Sequence, residues 1–363
     1  MSLLTPRANP SKVMQWAAPP IAIIATLLTA TVLFYMLKKP PLEAFYIFFI
    51  EPLETANGLS ELALKAAPLI LIAQGLALGF RARIYNIGAE GQLLVGAICA
   101  SGVAIYTDGI EAGWILPLMV LAGAIGGGLW GAIPAWLKTR FNAQETLTTL
   151  MLTYVAAQLL GWLVSDPWRD PGGTNFPQSI LFSESALFAM LFEGLRINTS
   201  VFITIAAVPV FWLMVKRSAL AYQLEVGGQA PDAARYAGFS ARRTVWVSLV
   251  ISGITAGIAG AAEAAGPVGQ LTLSLSPGYG FAAIIVAWVG RLHPIGIVFS
   301  GLLMALIYIG GEAAQVSMQL PSAVSLLFQG MLLFFLLGAD AFVDFRLKRR
   351  KPITSAAAKE GSA

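Results

Sequence analysis

The chain of 363 residues is 57% hydrophobic and only 12% charged, with a mean hydropathy of +0.74. Soluble domains carry about a quarter of their residues as charged side chains, so this composition excludes a soluble fold and predicts an integral membrane protein with many spans. The single Cys99 excludes a disulfide framework. The net charge of +4 comes from basic residues at the ends of apolar segments, so nucleic acid is not an expected partner.

The first apolar run, residues 18–37, follows a short polar stretch with Arg7 and Lys12. A secretion signal would have similar flanks, but this run ends at Lys38 and Lys39 without a small-residue cleavage site. We therefore predict a retained first membrane helix that follows a cytoplasmic N-terminus, residues 1–17.

Windows of about twenty residues predict an all-α, polytopic membrane bundle with about ten transmembrane helices. The predicted spans are residues 18–37, 62–80, 86–106, 113–136, 146–164, 199–215, 244–262, 278–291, 294–311 and 321–339. The eighth should be short or broken, because Pro277 and the two glycines that follow it, Gly278 and Gly280, interrupt the apolar pattern. Such backbone must be covered by protein or line a pathway.

The distribution of basic residues predicts the topology. Most of the 23 lysine and arginine residues fall on the side that holds both termini, so the positive-inside rule places both termini in the cytoplasm. The permease domain is predicted over residues 18–345, and residues 346–363 are expected to form a basic, disordered cytoplasmic tail.

Two further features concern packing. Glycines recur every fourth residue at Gly123, Gly127 and Gly131, and again at Gly253 and Gly257, which predicts closely packed helices. Of the connections on the outer side, residues 165–198 form the longest, and residues 40–61 carry an aromatic stretch expected at the membrane interface or packed on the bundle.

A distinctive polar stretch stands at the start of the third span, with the sequence Asn-Ile-Gly-Ala-Glu-Gly-Gln. Asn86 is predicted to cap this helix, and Glu90 to lie in its first turns, where the helix dipole favours negative charge. An ionisable residue so near the membrane should be paired, with Arg81 or Arg83 as the nearby partner. The remaining positions of this motif are Gly88 and Gly91, which permit close backbone contact, and Gln92.

The polar segment of residues 216–243 separates two apolar runs and is rich in basic residues, which predicts a cytoplasmic position. Within it, Pro231 and Asp232 are expected to begin a short helix, with Asp232 as a capping residue, and Gly238 to end it in a left-handed conformation. A short rigid helix held between two spans suits docking against a soluble partner.

Three motifs in order resemble one family. The Asn86 to Gln92 sequence, the Ala-Ala-x-x-x-Gly pattern of the 216–243 segment, and the stretch from Gly280 to Gly296 are similar to permease subunits of ABC importers. The resemblance covers about residues 60–340. It is to the ribose and branched-chain type, in the nucleoside and simple-sugar branch that works with a basic-membrane-lipoprotein-type binding protein.

The resemblance implies a subunit of a larger machine in the cell inner membrane. Its partners would be a separate ABC ATPase subunit, a second permease that is a different chain, and an extracytoplasmic substrate-binding lipoprotein. The sequence has no phosphate-binding loop of the G-x-x-x-x-G-K-[ST] type, so ATP would be bound by the partner, and this chain would need no cofactor and act as no enzyme. The residues implied in ATPase coupling are Glu225, Gly227, Asp232, Ala233, Ala234 and Gly238.

The solute is expected to be a nucleoside that crosses by alternating access, with ribose or another simple sugar as the alternative. Aromatic and amide side chains suit such a solute, and the candidate pathway residues are Phe281, Trp288, Gln158, Gln270 and Tyr308. Glu263 and Glu312 are weaker candidates that are expected to be solvated near outer helix ends. The sole histidine, His293, is expected to have no role in transport.

Two other classes of membrane protein remain as alternatives. An ion-coupled secondary transporter would share the composition but should show ionisable residues or broken helices at matching positions of two repeats, and it would not depend on a separate ATPase. An intramembrane hydrolase would need a nucleophile with a base or paired aspartates, and the sequence offers no such set.

Overall fold

The computed structural model describes residues 4–6, 12–173 and 176–347. The chain divides into two compact units, Phe34–Gln329 and a second that combines residues 1–33 with 330–363. The helices are α1 (Lys12–Met36), α2 (Pro41–Phe49), α3 (Glu51–Glu54), α4 (Ala56–Arg81), α5 (Ala89–Tyr106), α6 (Ile115–Phe141), α7 (Glu145–Ser165), α8 (Val201–Arg217), α9 (Ala219–Gln229), α10 (Pro231–Tyr236), α11 (Ala241–Glu263), α12 (Tyr279–Val289), α13 (Pro294–Met318) and α14 (Ala323–Asp344).

Within the described residues, seven helices are long and apolar enough to cross a membrane, or eight if the bent pair α8 and α9 counts as one span. A helix lies at every predicted span, and the predicted polytopic helical bundle is confirmed. The count of about ten stays a prediction, because α12 has 11 residues and the apolar part of α14 is also short. The prediction of a short eighth helix is confirmed.

Helices α5, α6 and α11 pack closely along their small residues. A Cβ atom added at Gly127 would lie 2.7 Å from the Cα of Gly257, and one at Gly123 would lie 2.7 Å from the Cβ of Ala261. Gly96 of α5 faces Gly257 in the same way. The predicted close packing of glycine-bearing helices is therefore confirmed, and its cause is backbone contact that any larger side chain would block.

The aromatic stretch of α2 packs on the bundle, as one of the two predicted alternatives had it. Phe48 is fully buried, its backbone lies against Gly310 of α13, and its ring stacks on Phe328 with ring centroids 5.0 Å apart. Phe34 adds a third ring to this cluster.

The long connection between α7 and α8 contains only one short helical turn among its described residues, Glu184–Ala186. It is fastened by backbone hydrogen bonds to the segment that follows α11: the amides of Ser179, Phe182 and Phe188 donate to the carbonyls of Leu271, Gly269 and Ala265 at 2.9–3.0 Å. We call this end of the bundle the far end, and the end that carries residues 216–243 the coupling end.

The second unit contains a strand pair that the sequence did not predict. Strand β1 (Leu4–Pro6) runs antiparallel to β2 (Phe345–Leu347), with Thr5 opposite Arg346. The predicted tail thus begins in a strand rather than in disorder, because backbone pairing satisfies its polar groups. The rest of that tail, 348–363, and residues 1–3 and 7–11 of the predicted N-terminal stretch lie outside the described residues.

Candidate functional site

The Asn86 side chain cross-links three parts of the bundle. Its Nδ2 donates to Gln92 Oε1 at 2.8 Å and to Ser252 Oγ of α11 at 2.7 Å, while its Oδ1 accepts from the Gly88 amide at 2.9 Å. The prediction that Asn86 caps α5 is wrong, since the capping residue is Gly88 and the Asn86 bond closes the turn before it. Asn86 and Gln92 are both buried, so these mutual bonds avoid the cost of unpaired polar groups.

The two glycines of the motif let α5 approach α7. A Cβ atom at Gly91 would lie 2.7 Å from the Cα of Thr153, and one at Gly88 would collide with the backbone of Thr149. The Thr149 hydroxyl also accepts from the Ile87 amide at 3.2 Å. The predicted close backbone contact is confirmed, and α7 is the partner.

Glu90 caps the short helix α12 rather than pairing with an arginine. Its carboxylate is buried, and Oε2 accepts from the Gly280 amide at 2.7 Å. The Ser276 hydroxyl lies beside it and accepts from the amides of Gly278 and Tyr279 at 3.2 and 3.1 Å. A helix that begins within the bundle leaves amide donors without intrahelical partners. The side chains of Glu90 and Ser276 provide the missing acceptors, which explains how the interrupted eighth segment is tolerated.

Arg81 has other partners, so its predicted pairing with Glu90 is wrong. Its Nε and Nη2 donate to the Leu292 carbonyl at 3.1 and 2.8 Å, and its Nη1 lies 3.8 Å from Glu225 Oε2 of α9. The reason is position: Arg81 ends α4 at the turn between α12 and α13, whereas Glu90 faces the opposite end of α12. Sequence proximity suggested a pair that the fold separates.

The 216–243 segment forms two helices after a sharp bend. Helices α8 and α9 meet at 66°, with the Ser218 hydroxyl capping α9 by accepting from the Ala221 amide at 3.1 Å. Helix α9 is held against the coupling end of α4, because Leu224 packs with Leu78, and Gly228 lies so close to the backbone of α4 that a Cβ atom would collide with it.

Helix α10 projects from α9 and is largely exposed. It begins at Pro231 and is followed by Gly238 at φ +80, so both predicted ends are confirmed. The capping role predicted for Asp232 is wrong, since the residue before the helix is Ala230 and no side chain caps it. Tyr236 is 97% exposed, and Ala234 alone in α10 is buried, turned towards the adjoining helices. The result is a short protruding helix on a braced base.

The other residues proposed for coupling lie on or beside this base. Glu225 accepts from Gln229 Nε2 at 3.1 Å in addition to its approach to Arg81. Gly227 is half-buried beside Thr244 of α11. Ala233 is exposed on α10.

The predicted pathway residues are not brought together. Trp288 stacks on Phe80 at 5.7 Å, and Tyr308 is buried against Tyr279 with its hydroxyl 3.4 Å from the Pro277 carbonyl. The remaining three are exposed Phe281 on α12, exposed Gln158 on α7 and half-buried Gln270 near the far end.

A small cavity lies instead among α4, α8 and α11, and its polar lining residues are Ser200, Thr204 and Glu263. The expectation that Glu263 is solvated at an outer helix end is wrong, because only 8% of it is exposed and α4 and α8 cover it. Glu312 is exposed as expected and binds Lys65 at 2.6 Å. The sequence did not predict Ser200 and Thr204 as site residues. Serine and threonine at this spacing are common at the start of a helix, so they gave no signal of a site.

Long apolar helices around a tightly packed core, with a short exposed helix between α9 and α11, define a polytopic membrane protein. The chain belongs to the family described as branched-chain amino acid transport system / permease component, which matches residues 58–337. The prediction of an ABC permease subunit is confirmed, and such a subunit is a transporter component and not an enzyme.

Several curated proteins are similar to this chain. The glucose ABC transporter permease protein of Haloferax volcanii is 33% identical over 95% of this chain and 93% of its own length. The guanosine ABC transporter permease protein NupP of Bacillus subtilis is 31% identical over 79% and 83%, and the nucleoside ABC transporter permease protein NupB of Lactococcus lactis is 26% identical over 96% and 97%. No solved structure matches the chain.

Proposed function

We propose that this chain is the membrane subunit of an ATP-driven importer that carries nucleosides across the inner membrane by alternating access. The permease domain would occupy residues 18–345 with about ten spans, and the termini, 1–17 and 346–363, would both lie in the cytoplasm. The guanosine and nucleoside permeases among the relatives support this solute class.

A simple sugar is the second candidate solute, and a specific observation favours it. The glucose permease of Haloferax volcanii is similar along almost the whole of both chains. Membership of a permease-component family argues against the ion-coupled alternative.

The observation that carries the proposal is the protruding helix α10 on its braced base. Helix α9 packs against α4, and its Glu225 lies 3.8 Å from Arg81 at the end of α4. A force on α10 would therefore be transmitted to α4, α8 and α11 and would not be absorbed by a flexible loop. A separate ATPase subunit that binds ATP would dock here, contacting Asp232, Ala233 and Tyr236, while Glu225, Gly227 and Gly238 maintain the shape of the support. The far end would receive an extracytoplasmic binding lipoprotein, and a second, different permease chain would complete the pathway.

Exposed Phe281 and Gln158 remain proposed pathway residues, since they are free to face a second permease. Trp288 and Tyr308 are proposed with less support, because packing against Phe80 and Tyr279 already accounts for them.

Uptake measurements test the solute. Cells with and without the gene are supplied with radiolabelled guanosine, adenosine, uridine, ribose and glucose, and ATP dependence is separated from dependence on ion gradients. Selective loss of ATP-driven nucleoside uptake is the expected result. Loss of sugar uptake alone would keep the permease and change its solute, and uptake driven by an ion gradient would contradict the proposal.

A matched pair of glycine variants tests the coupling role. Gly238 and Gly109 have φ of +80 and +79 and open space where a Cβ atom would stand, and Gly109 lies in the turn after α5, away from the coupling segment. Valine at either position introduces the same backbone strain. We expect Gly238→Val to reduce co-purification of the ATPase subunit several-fold and Gly109→Val to leave it unchanged. Equal effects of the two variants would refute the docking role of α10.

A further inference from the structure

The small cavity among α4, α8 and α11 lies towards the far end of each helix and has room for about one water molecule. Ser200 and Thr204 stand at the start of α8, and Glu263 ends α11. Leu64, Ala67 and Pro68 of α4 form the apolar side. The lining combines three polar side chains with an apolar wall and, in the part of the chain described, includes no aromatic ring.

The Glu263 carboxyl group is buried without a partner. It is only 8% exposed, and among the described residues no hydrogen bond or ion pair engages it. The basic residues nearby are already occupied, since Lys65 Nζ lies 2.6 Å from Glu312 Oε1 and Arg196 Nη1 lies 3.0 Å from Glu61 Oε1. A buried carboxyl group without a partner is costly, so its retention beside a cavity points to a ligand that supplies the missing donors.

The cavity is also connected to the coupling segment by its own walls. Helices α8 and α11 are the two helices that residues 216–243 join, and their opposite ends form the cavity. Movement of α10 relative to α4 would change the separation of α8 and α11 and widen or close the space in front of Glu263.

We infer that Glu263, with the hydroxyl oxygens of Ser200 and Thr204, binds the sugar hydroxyl groups of the transported solute when α8 and α11 separate. The Thr204 hydroxyl donates to the Ala67 carbonyl at 3.0 Å, so towards the solute it acts as an acceptor. This inference rests on the proposed importer function and deepens it. A carboxyl group accepts hydrogen bonds from two neighbouring hydroxyls, and an apolar wall without aromatic rings suits the carbon face of a sugar better than a nucleobase, which favours ring stacking. The site therefore recognises the chemistry that a nucleoside and a simple sugar share.

Competition uptake tests this role in the complete transporter. For whichever solute of the panel is transported, unlabelled analogues that each lack one sugar hydroxyl compete with the labelled solute. In the wild type, removal of a hydroxyl bound by Glu263 should weaken competition about fivefold, as for a hydrogen bond between neutral groups. Glu263→Gln should reduce that discrimination to about twofold, and Glu263→Asp should keep most of it.

Glu184→Gln is the matched control, because it removes an exposed carboxylate at the far end that does not line the cavity. It should discriminate among analogues as the wild type does. Unchanged discrimination in Glu263→Gln would overturn the assignment, as would an equal loss in Glu184→Gln.

A second measurement does not depend on knowing the solute. In a Cys99→Ser background, which removes the only cysteine, Ser200→Cys is treated with cationic and neutral thiol reagents of equal size, with and without ATP and vanadate. Labelling should change with the nucleotide state and, at alkaline pH, should favour the cationic reagent, and Glu263→Gln should abolish that preference. If no panel solute is transported, the proposed function fails while this labelling still tests the site. A thiol that is unlabelled in every state would overturn the inference.

Discussion

Glu90 is the buried carboxylate that caps α12, and the cost of replacing it can be worked from its contacts. A buried hydrogen bond to a charged group contributes about 1.5–3 kcal/mol, whereas a neutral one contributes about 0.5–1.5 kcal/mol. Glu90→Gln keeps an acceptor for the Gly280 amide, so we expect it to change the free energy of unfolding by no more than about 1 kcal/mol. Glu90→Ala leaves that amide unpaired and removes packed atoms, so the expected loss is about 3 kcal/mol.

A double-mutant cycle separates capping from ion pairing. Because the Arg81 guanidinium donates to Leu292 and lies near Glu225, Arg81→Gln and Glu90→Gln should be additive within about 0.5 kcal/mol. Arg81→Gln and Glu225→Gln should instead be coupled, by no more than about 1 kcal/mol, since Glu225 is half-exposed. The assay is reversible unfolding in mixed micelles, followed by Trp fluorescence. A coupling energy above about 1 kcal/mol between Arg81 and Glu90 would refute the capping role.

Two further predictions concern packing and pH. Gly127→Val should destabilise the bundle by about 2 kcal/mol or more, because the valine Cβ would collide with the backbone of α11. Gly330→Val is the control and should leave the stability unchanged, because a Cβ atom at Gly330 meets open space. Equal thermal stability of the two purified variants would contradict the prediction. Burial and the charges of Arg81 and Lys216 lower the pKa of His293 below its ordinary value of 6.5. The unfolded chain therefore binds more protons near that pH, and the stability contributed by neutral His293, whose Nδ1 accepts from the Ile295 amide, is lost as the pH falls. Thermal unfolding should show a larger loss between about pH 7.5 and 5.5 for the wild type than for His293→Asn, which keeps a capping group without titrating.

The order of the motifs and the hydropathy of the sequence were sufficient to predict the class of protein. The length of the apolar runs requires membrane spans, and the glycine spacing requires close helix contact, so both predictions depend on local pattern alone. The limits of α10 were also local, because Pro231 fixes the backbone at a helix start and Gly238 accepts the left-handed conformation that follows its end.

Partners of buried polar groups depended on tertiary structure. Sequence placed Glu90 nine residues from Arg81 and suggested a pair, but the fold brings the Gly280 amide, 190 positions away, to the carboxylate. Likewise, the sequence predicted that Glu263 is solvated at a helix end. In the fold, α4 and α8 cover Glu263, and it lines a cavity with Ser200 and Thr204. The hydrophobic pattern of a sequence predicts which residues are buried. The group that each buried polar residue contacts is determined only when helices distant in sequence pack together.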